Sequence, residues 1–251
     1  MRTILLLGVL GACGDDAMSQ PDAGPASDAP VLACATDEIA WHFTVRDTDF
    51  GGSRLAGAHI CLIDPAGACV DTPTTGAADF CVRANSRFAI SAELAGYMPL
   101  IAPLVAGDAE PSQTRANTIS LGRTTQSCTT WESAGVACPP TTQGLVWVKT
   151  VLDQPSVPEI PDPIGGVSIA AAGAIDVFYS NPTKDSSLTA TDPGWGNAYA
   201  VFAGDAAATI TLSRPNQVCR AFSFDAWPGA AGTIEVPVRA GFRTFVMATC
   251  Q

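Results

Sequence analysis

An all-β chain is what the 251 residues predict: two tandem antiparallel β-sandwiches behind an export signal and a disordered linker. Three observations carry this. Short runs alternate apolar and polar residues between Gly, Pro, Asp and Asn, the period of half-buried strands. No stretch sustains a 3.6-residue apolar stripe over three turns. An opening motif also recurs, Trp41-x2-Thr44-Val45-x-Asp47 against Trp147-x2-Thr150-Val151-x-Asp153. A self-similarity at about 106–109 residues suggests one module used twice.

The chain opens with Met1-Arg2-Thr3 and the apolar run 4–10, a secretory core too short to span a membrane. It leads into Leu10-Gly11-Ala12-Cys13, which resembles the bacterial lipoprotein signal: Leu three positions before the cysteine, then two small residues. The resemblance implies a signal peptide over 1–12, cleavage before Cys13, acylation of Cys13 and attachment to a membrane through the lipid. Several acyl chains on one residue anchor stably, where a single chain is marginal. Residues 14–33 read GDDAMSQPDAGPASDAPVLA, with too little to bury to offset ordering, so 13–35 form the anchor and a disordered acidic spacer. Within that family an Asp directly after the cysteine favours the inner membrane. Here Gly14 precedes Asp15 and Asp16, pointing to an outer-membrane lipoprotein of the cell envelope.

The first sandwich, assigned to 36–125, has alternating strands at 39–45, 58–63, 87–92 and 117–121. Val45-x-Asp47, Leu55-Ala56-Gly57-Ala58-x-Ile60-x-Leu62, Thr74-Thr75 and Phe88-x-Ile90-x-Ala92-x3-Gly96-Tyr97 resemble the carboxypeptidase regulatory-like domain. The resemblance implies a transthyretin-like seven-stranded sandwich that accompanies peptidases without being one. The turn Thr75-Gly76-Ala77-Ala78-Asp79-Phe80 exchanges the Asp and Gly of the family pattern, while Thr191-Asp192-Pro193-Gly194 in the second half lies nearer to it. Residues 126–143 read as a Pro/Thr-rich linker. The second sandwich, 144–251, has strands at 145–152, 166–171, 175–179, 198–202, 209–212, 218–224, 233–238 and 242–249. It repeats the Gly-led strand of the first, Gly57-Ala58-His59-Ile60 against Gly166-Val167-Ser168-Ile169. Trp41 and Trp147 fall at matching positions and are assigned to the cores.

Setting Cys13 aside, eight cysteines remain, an even number that in an exported chain reads as a disulfide framework. Cys61 and Cys69 flank an Asp-Pro-Ala-Gly turn that brings hairpin ends together, and Cys128 and Cys138 bound the linker. Cys219 then pairs with Cys250, and Cys34 with Cys81; the chief alternative joins Cys34 to Cys128. No C-x2-C knuckle or paired His is present, so no metal site is expected.

Acidic residues outnumber basic ones 24 to 13 and the net charge is -11, which argues against nucleic acid as a partner. No catalytic residues and no cofactor are assigned. The only histidines, His42 and His59, lie on alternating strands and read as solvated. Ser168 in Gly166-Val167-Ser168-Ile169-Ala170 has only a superficial likeness to a nucleophile elbow, and Asp47-Thr48-Asp49-Phe50-Gly51-Gly52 reads as a turn, not a calcium loop. Trp195 and Trp227 sit in Gly/Pro/Asp-rich surroundings and are the candidate ligand contacts, since an exposed Trp stacks on sugars or anchors interfaces. The expected role is a lipid-anchored, non-enzymatic adhesion, recognition or scaffolding module with a surface protein or glycan as partner. The alternatives are a carbohydrate-binding accessory module and a cell-surface hydrolase.

Overall fold

The computed structural model describes residues 32–48, 52–111, 117–153, 162–222 and 226–251. Seven strands come first: β1 (Glu38–Asp47), β2 (His59–Asp64), β3 (Ala66–Asp71), β4 (Ala77–Arg83), β5 (Arg87–Glu93), β6 (Leu100–Val105) and β7 (Thr118–Leu121). β1 turns Trp41, Phe43, Val45 and Asp47 inward, and the residues between them are more exposed. It lies between β4, antiparallel, and β7, parallel. The sheet β6-β5-β2-β3 faces this one. Between them lies an aromatic core, with Trp41 edge-on to Phe88 at 5.0 Å and Phe43 to Phe80 at 6.1 Å.

The segment read as a linker begins with a helix, α1 (Thr124–Ser133). Its pattern escapes a search for an apolar stripe because it buries only Cys128 and Trp131, one turn apart. The Cys128–Cys138 bridge ties it down, and Trp131 lies over Phe178 and Tyr199.

Nine strands follow: β8 (Gly144–Thr150), β9 (Ser168–Ala171), β10 (Asp176–Ser180), β11 (Asn197–Phe202), β12 (Ala206–Ser213), β13 (Cys219–Ala221), β14 (Trp227–Pro228), β15 (Thr233–Val238) and β16 (Arg243–Cys250). Their arrangement repeats that of the first seven. The opening strand β8 lies between an antiparallel β11 and a parallel final strand β16, as β1 lies between β4 and β7. The order β15-β12-β9 matches β6-β5-β2. The third strand departs from the repeat, since β3 pairs with β2 whereas β10 crosses to the other sheet and pairs with β11.

Two local devices recur as well. Thr72 accepts the Ala58 N–H (2.9 Å) and donates to the Leu55 carbonyl (2.8 Å); Thr191 accepts the Val167 N–H (3.1 Å) and donates to the Ile164 carbonyl (3.0 Å). The Gly76 carbonyl takes the Val45 N–H at 2.8 Å, and the Gly196 carbonyl takes the Thr150 N–H at 2.7 Å. Both glycines have positive φ, 69° and 60°, and a Cβ would come within 2.9 Å of the Val45 oxygen or 2.3 Å of the Thr150 oxygen.

The correspondence through these glycines pairs Val45 with Thr150, one residue out of step with the shared Trp-Thr-Val-Asp motif. Because successive side chains alternate, one residue reverses the face. Trp41 is inside the first core, but Trp147 lies on the face of β8 opposite the second core, half-buried; Val146 and Val148 point inward instead. The core assignment of Trp147 is corrected accordingly.

The two halves share a sheet. β16 pairs with β8 on one side and, through Arg243–Leu100 and Thr244–Ile101, in parallel with β6 on the other. The order β10-β11-β8-β16-β6-β5-β2-β3 therefore runs unbroken from the second sandwich into the first, with β13 also paired to β16.

Candidate functional site

Trp227 is 5% exposed, so its loop-like sequence does not leave it on the surface. Its ring packs with Ala89 and Ile101 of the first sandwich. Its indole N–H donates to the carbonyls of Phe88 (2.9 Å) and Leu104 (3.1 Å), which satisfies the polar atom that burial would otherwise penalise. The Arg87 guanidinium lies 4.9 Å over the ring and pairs with Glu235 at 2.7 Å. Trp227 is a packing residue between the halves, and the expectation of a ligand contact there is corrected.

Trp195 is 42% exposed, in the turn before β11. Lys149 donates to its carbonyl, and the Asp192 side chain accepts the Gly194 N–H at 2.8 Å, holding the turn. Trp195 and Trp227 do not form a shared exposed face.

Beside Trp195 the outer face of the second sandwich carries one aromatic rung across four strands. Phe178, Tyr199, Trp147 and Phe245 are direct register partners on β10, β11, β8 and β16. Centroid spacings run 4.8 Å, 6.1 Å and 4.7 Å along the row. Helix α1 covers the Phe178–Tyr199 end, while Trp147 and Phe245 remain half-buried. The Trp147 N–H donates to Asn197 at 3.1 Å, and Arg243 lies 5.1 Å over the Trp147 ring. Burial pushes the Tyr199 phenol up and the Lys149 ammonium down from their ordinary values. Trp195, Lys149, Asn197 and Trp147 thus gather polar groups and aromatic surface at one end of this face. The sequence signal for the rung was at least one aromatic in each of four strands; strand order and phase were not readable from it.

Each histidine is paired with a carboxylate. His42 Nδ1 lies 2.9 Å from Glu110, which also accepts the His42 backbone N–H at 2.6 Å. His59 Nδ1 lies 2.7 Å from Asp71, and its Nε2 is 3.2 Å from Cys61 Sγ. Ser168 donates to the Ser213 carbonyl at 3.3 Å. Asp47 is buried and accepts from the Tyr97 hydroxyl (2.6 Å) and from Arg123 (3.2 Å); of the turn 47–52, residues 49–51 lie outside the described residues.

Four disulfides join Cys34–Cys81, Cys61–Cys69, Cys128–Cys138 and Cys219–Cys250. The first ties the segment before β1 to β4, and the last joins β13 to the final residue of β16. His59, Cys61 and Cys69 are close enough together to suggest a metal, as are Cys34, Glu38 and Cys81, but in both groups the sulfurs are already bonded to each other. Cys13 and the signal lie outside the described residues. No helix among the described residues is long and apolar enough to cross a membrane.

No family model matches the chain, and no curated protein matches it. Among solved structures, the Bacillus anthracis TIE protein aligns over 85% of this chain at 8% identity and a TM-score of 0.27; the chain spans 34% of that protein's length. GBS52, the minor pilin of Streptococcus agalactiae, aligns over 84% of this chain and 95% of its own at 11% identity and a TM-score of 0.28. The shaft pilin spaA of Lactobacillus rhamnosus GG aligns over 85% and 98% at 10% identity and a TM-score of 0.24.

Proposed function

We propose that the chain is a lipid-anchored, non-enzymatic envelope protein that presents two fused β-sandwiches, 36–125 and 144–251, as an adhesion, recognition or scaffolding module at the cell surface. The observation that carries the reading is the four-disulfide framework, because such bridges persist in oxidising, exported settings. The lipoprotein-like Leu10-Gly11-Ala12-Cys13 and the acidic spacer behind it supply the anchor and the standoff, with the outer membrane as destination. The shared sheet and the Trp227 lock suit a part that transmits force or holds partners at fixed geometry. Trp195, with Lys149 and the half-buried Trp147, is the contact surface for a protein or glycan partner.

Two experiments test this on the full-length chain expressed in its cell. The wild-type protein partitions into detergent and stays with washed envelopes, while Cys13→Ala releases it; a wild-type chain found wholly in the wash removes the anchor. Envelopes carrying the wild type are then compared with Trp195→Ala on glycan and surface-protein arrays. Loss of capture by Trp195→Ala, at unchanged melting temperature, supports the contact surface, and equal capture removes it.

A further inference from the structure

His59 and Cys61 lie two residues apart on β2, so both point to the same side, and Ile60 between them enters the aromatic core. Asp71 and Cys69 stand directly opposite them on β3. The side chains therefore form two neighbouring rungs on the outer face of the first sandwich, one a carboxylate–imidazole pair and the other a disulfide. The imidazole connects them: Nδ1 lies 2.7 Å from Asp71 Oδ1, and Nε2 lies 3.2 Å from Cys61 Sγ. His59, Cys69 and Asp71 are exposed. The other bridges differ. Cys128, Cys219 and Cys250 are buried in core clusters; Cys34–Cys81 is half-buried and has the Glu38 carboxylate near it in place of an imidazole, since the only other imidazole of the chain, His42, is held by Glu110.

We propose that Cys61–Cys69 is an exchangeable disulfide that takes an external thiol, with His59 as the acid–base group on Cys61 and Asp71 as its positioning residue. A thiolate attacks the exposed Cys69 Sγ; the new S–S bond forms as the Cys69–Cys61 bond breaks, and the electron pair leaves on Cys61 Sγ. The His59 imidazolium, its Nδ1–H held by Asp71, gives the Nε2 proton to that sulfur. A leaving thiol stabilised as it departs leaves faster. In the reverse direction, neutral His59 takes the proton from Cys61, which attacks the mixed disulfide and expels the external thiol. The first step involves no net oxidation; a second thiol that attacks the mixed disulfide releases its own disulfide and leaves both cysteines reduced. A protein thiol at this position would be captured covalently on Cys69.

The test uses the oxidised full-length chain and reduced glutathione, quenched at intervals and mapped by alkylation and mass spectrometry. Expected is that Cys61–Cys69 opens before the other three bridges, with the glutathione adduct on Cys69. His59→Gln is expected to slow opening by roughly ten- to a hundredfold, at or below the lower end of what a positioned acid–base group contributes. Asp71→Asn should slow it less and serves as the second variant if His59→Gln lowers the melting temperature of the oxidised protein. Equal rates in wild type and both variants overturn the proposal. So does earlier opening of another bridge, or an adduct confined to Cys61.

Discussion

The two sandwiches share a strand plan but fill it differently. The first packs Trp41, Phe43, Phe80 and Phe88 between its sheets. At the corresponding inward positions the second has Val146, Val148 and Ala200, and it closes its core with Ala198, Ala208 and Ala248. Tyr179 and Phe202 are its inner aromatics, and a further row stands outside, in the rung from Phe178 to Phe245, with α1 laid over one end. A core of small side chains buries less area per residue and leaves less hydrophobic stabilisation. Covering both faces of the sheet offsets that, and every residue of β11 is buried. Stability in the second sandwich is thus drawn from two thin layers rather than one thick one. The outer layer also creates the half-buried aromatic surface beside Trp195.

Alanine at the two motif tryptophans breaks this comparison most directly. Trp41→Ala empties the first core and should cost about 3–5 kcal/mol, the usual range for a buried Trp. Trp147→Ala acts on a half-buried outer face and should cost roughly half as much, by the same area argument. Denaturant titration of each variant is the check; equal losses would mean that the two residues share a face.

The threonine devices offer a finer comparison. Thr72→Val and Thr191→Val each leave a backbone N–H without its side-chain acceptor; Thr72→Val also strips the Leu55 carbonyl, whereas the Ile164 carbonyl keeps the Thr150 hydroxyl at 2.7 Å, and each should lose about 1–3 kcal/mol. Similar losses from urea midpoints fit one device used twice. A neutral result in one sandwich alone would make the likeness there decorative.

The smallest effect concerns pH. Burial holds the Tyr179 and Tyr199 phenols above their ordinary value, and the hydrogen bond to Asp47, with burial, does the same for Tyr97. The unfolded chain therefore gives up these protons first, so the stability they contribute is complete below about 10 and falls as pH rises through the folded values. Lys149, held low by burial, has the opposite sign: below its ordinary value the unfolded chain binds the extra proton, and stability rises with pH. Tyr199→Phe should flatten the alkaline decline seen by circular dichroism; an unchanged decline would remove Tyr199 from this account.

Alternation made most strands legible, because one wet face imposes a period of two on runs such as Trp41-His42-Phe43-Thr44-Val45. The hairpin bridge was legible from Cys61, Cys69 and the turn between them. Phase was not. The Trp-Thr-Val-Asp match aligns Trp41 with Trp147, and only strand pairing reveals the one-residue offset that puts them on opposite faces. Trp227 was illegible for another reason. Its Asp-Ala-Trp-Pro-Gly setting reads as an exposed turn, and the carbonyls of Phe88 and Leu104 that let it be buried lie more than a hundred residues away. The His59–Cys61 spacing was open to view, but Asp71 joins them only once β2 and β3 pair.

One continuous sheet and Trp227 should couple the two sandwiches into a single cooperative unit, and scanning calorimetry of the oxidised wild-type chain beside Trp227→Ala is the check. The wild type should show one transition whose calorimetric and van't Hoff enthalpies agree. Trp227→Ala should lose about 3–5 kcal/mol and separate into two transitions, as removal of a buried Trp that bridges two cores should cause. Two well-resolved transitions in the wild type, or a Trp227→Ala trace that overlays it, would contradict the coupling.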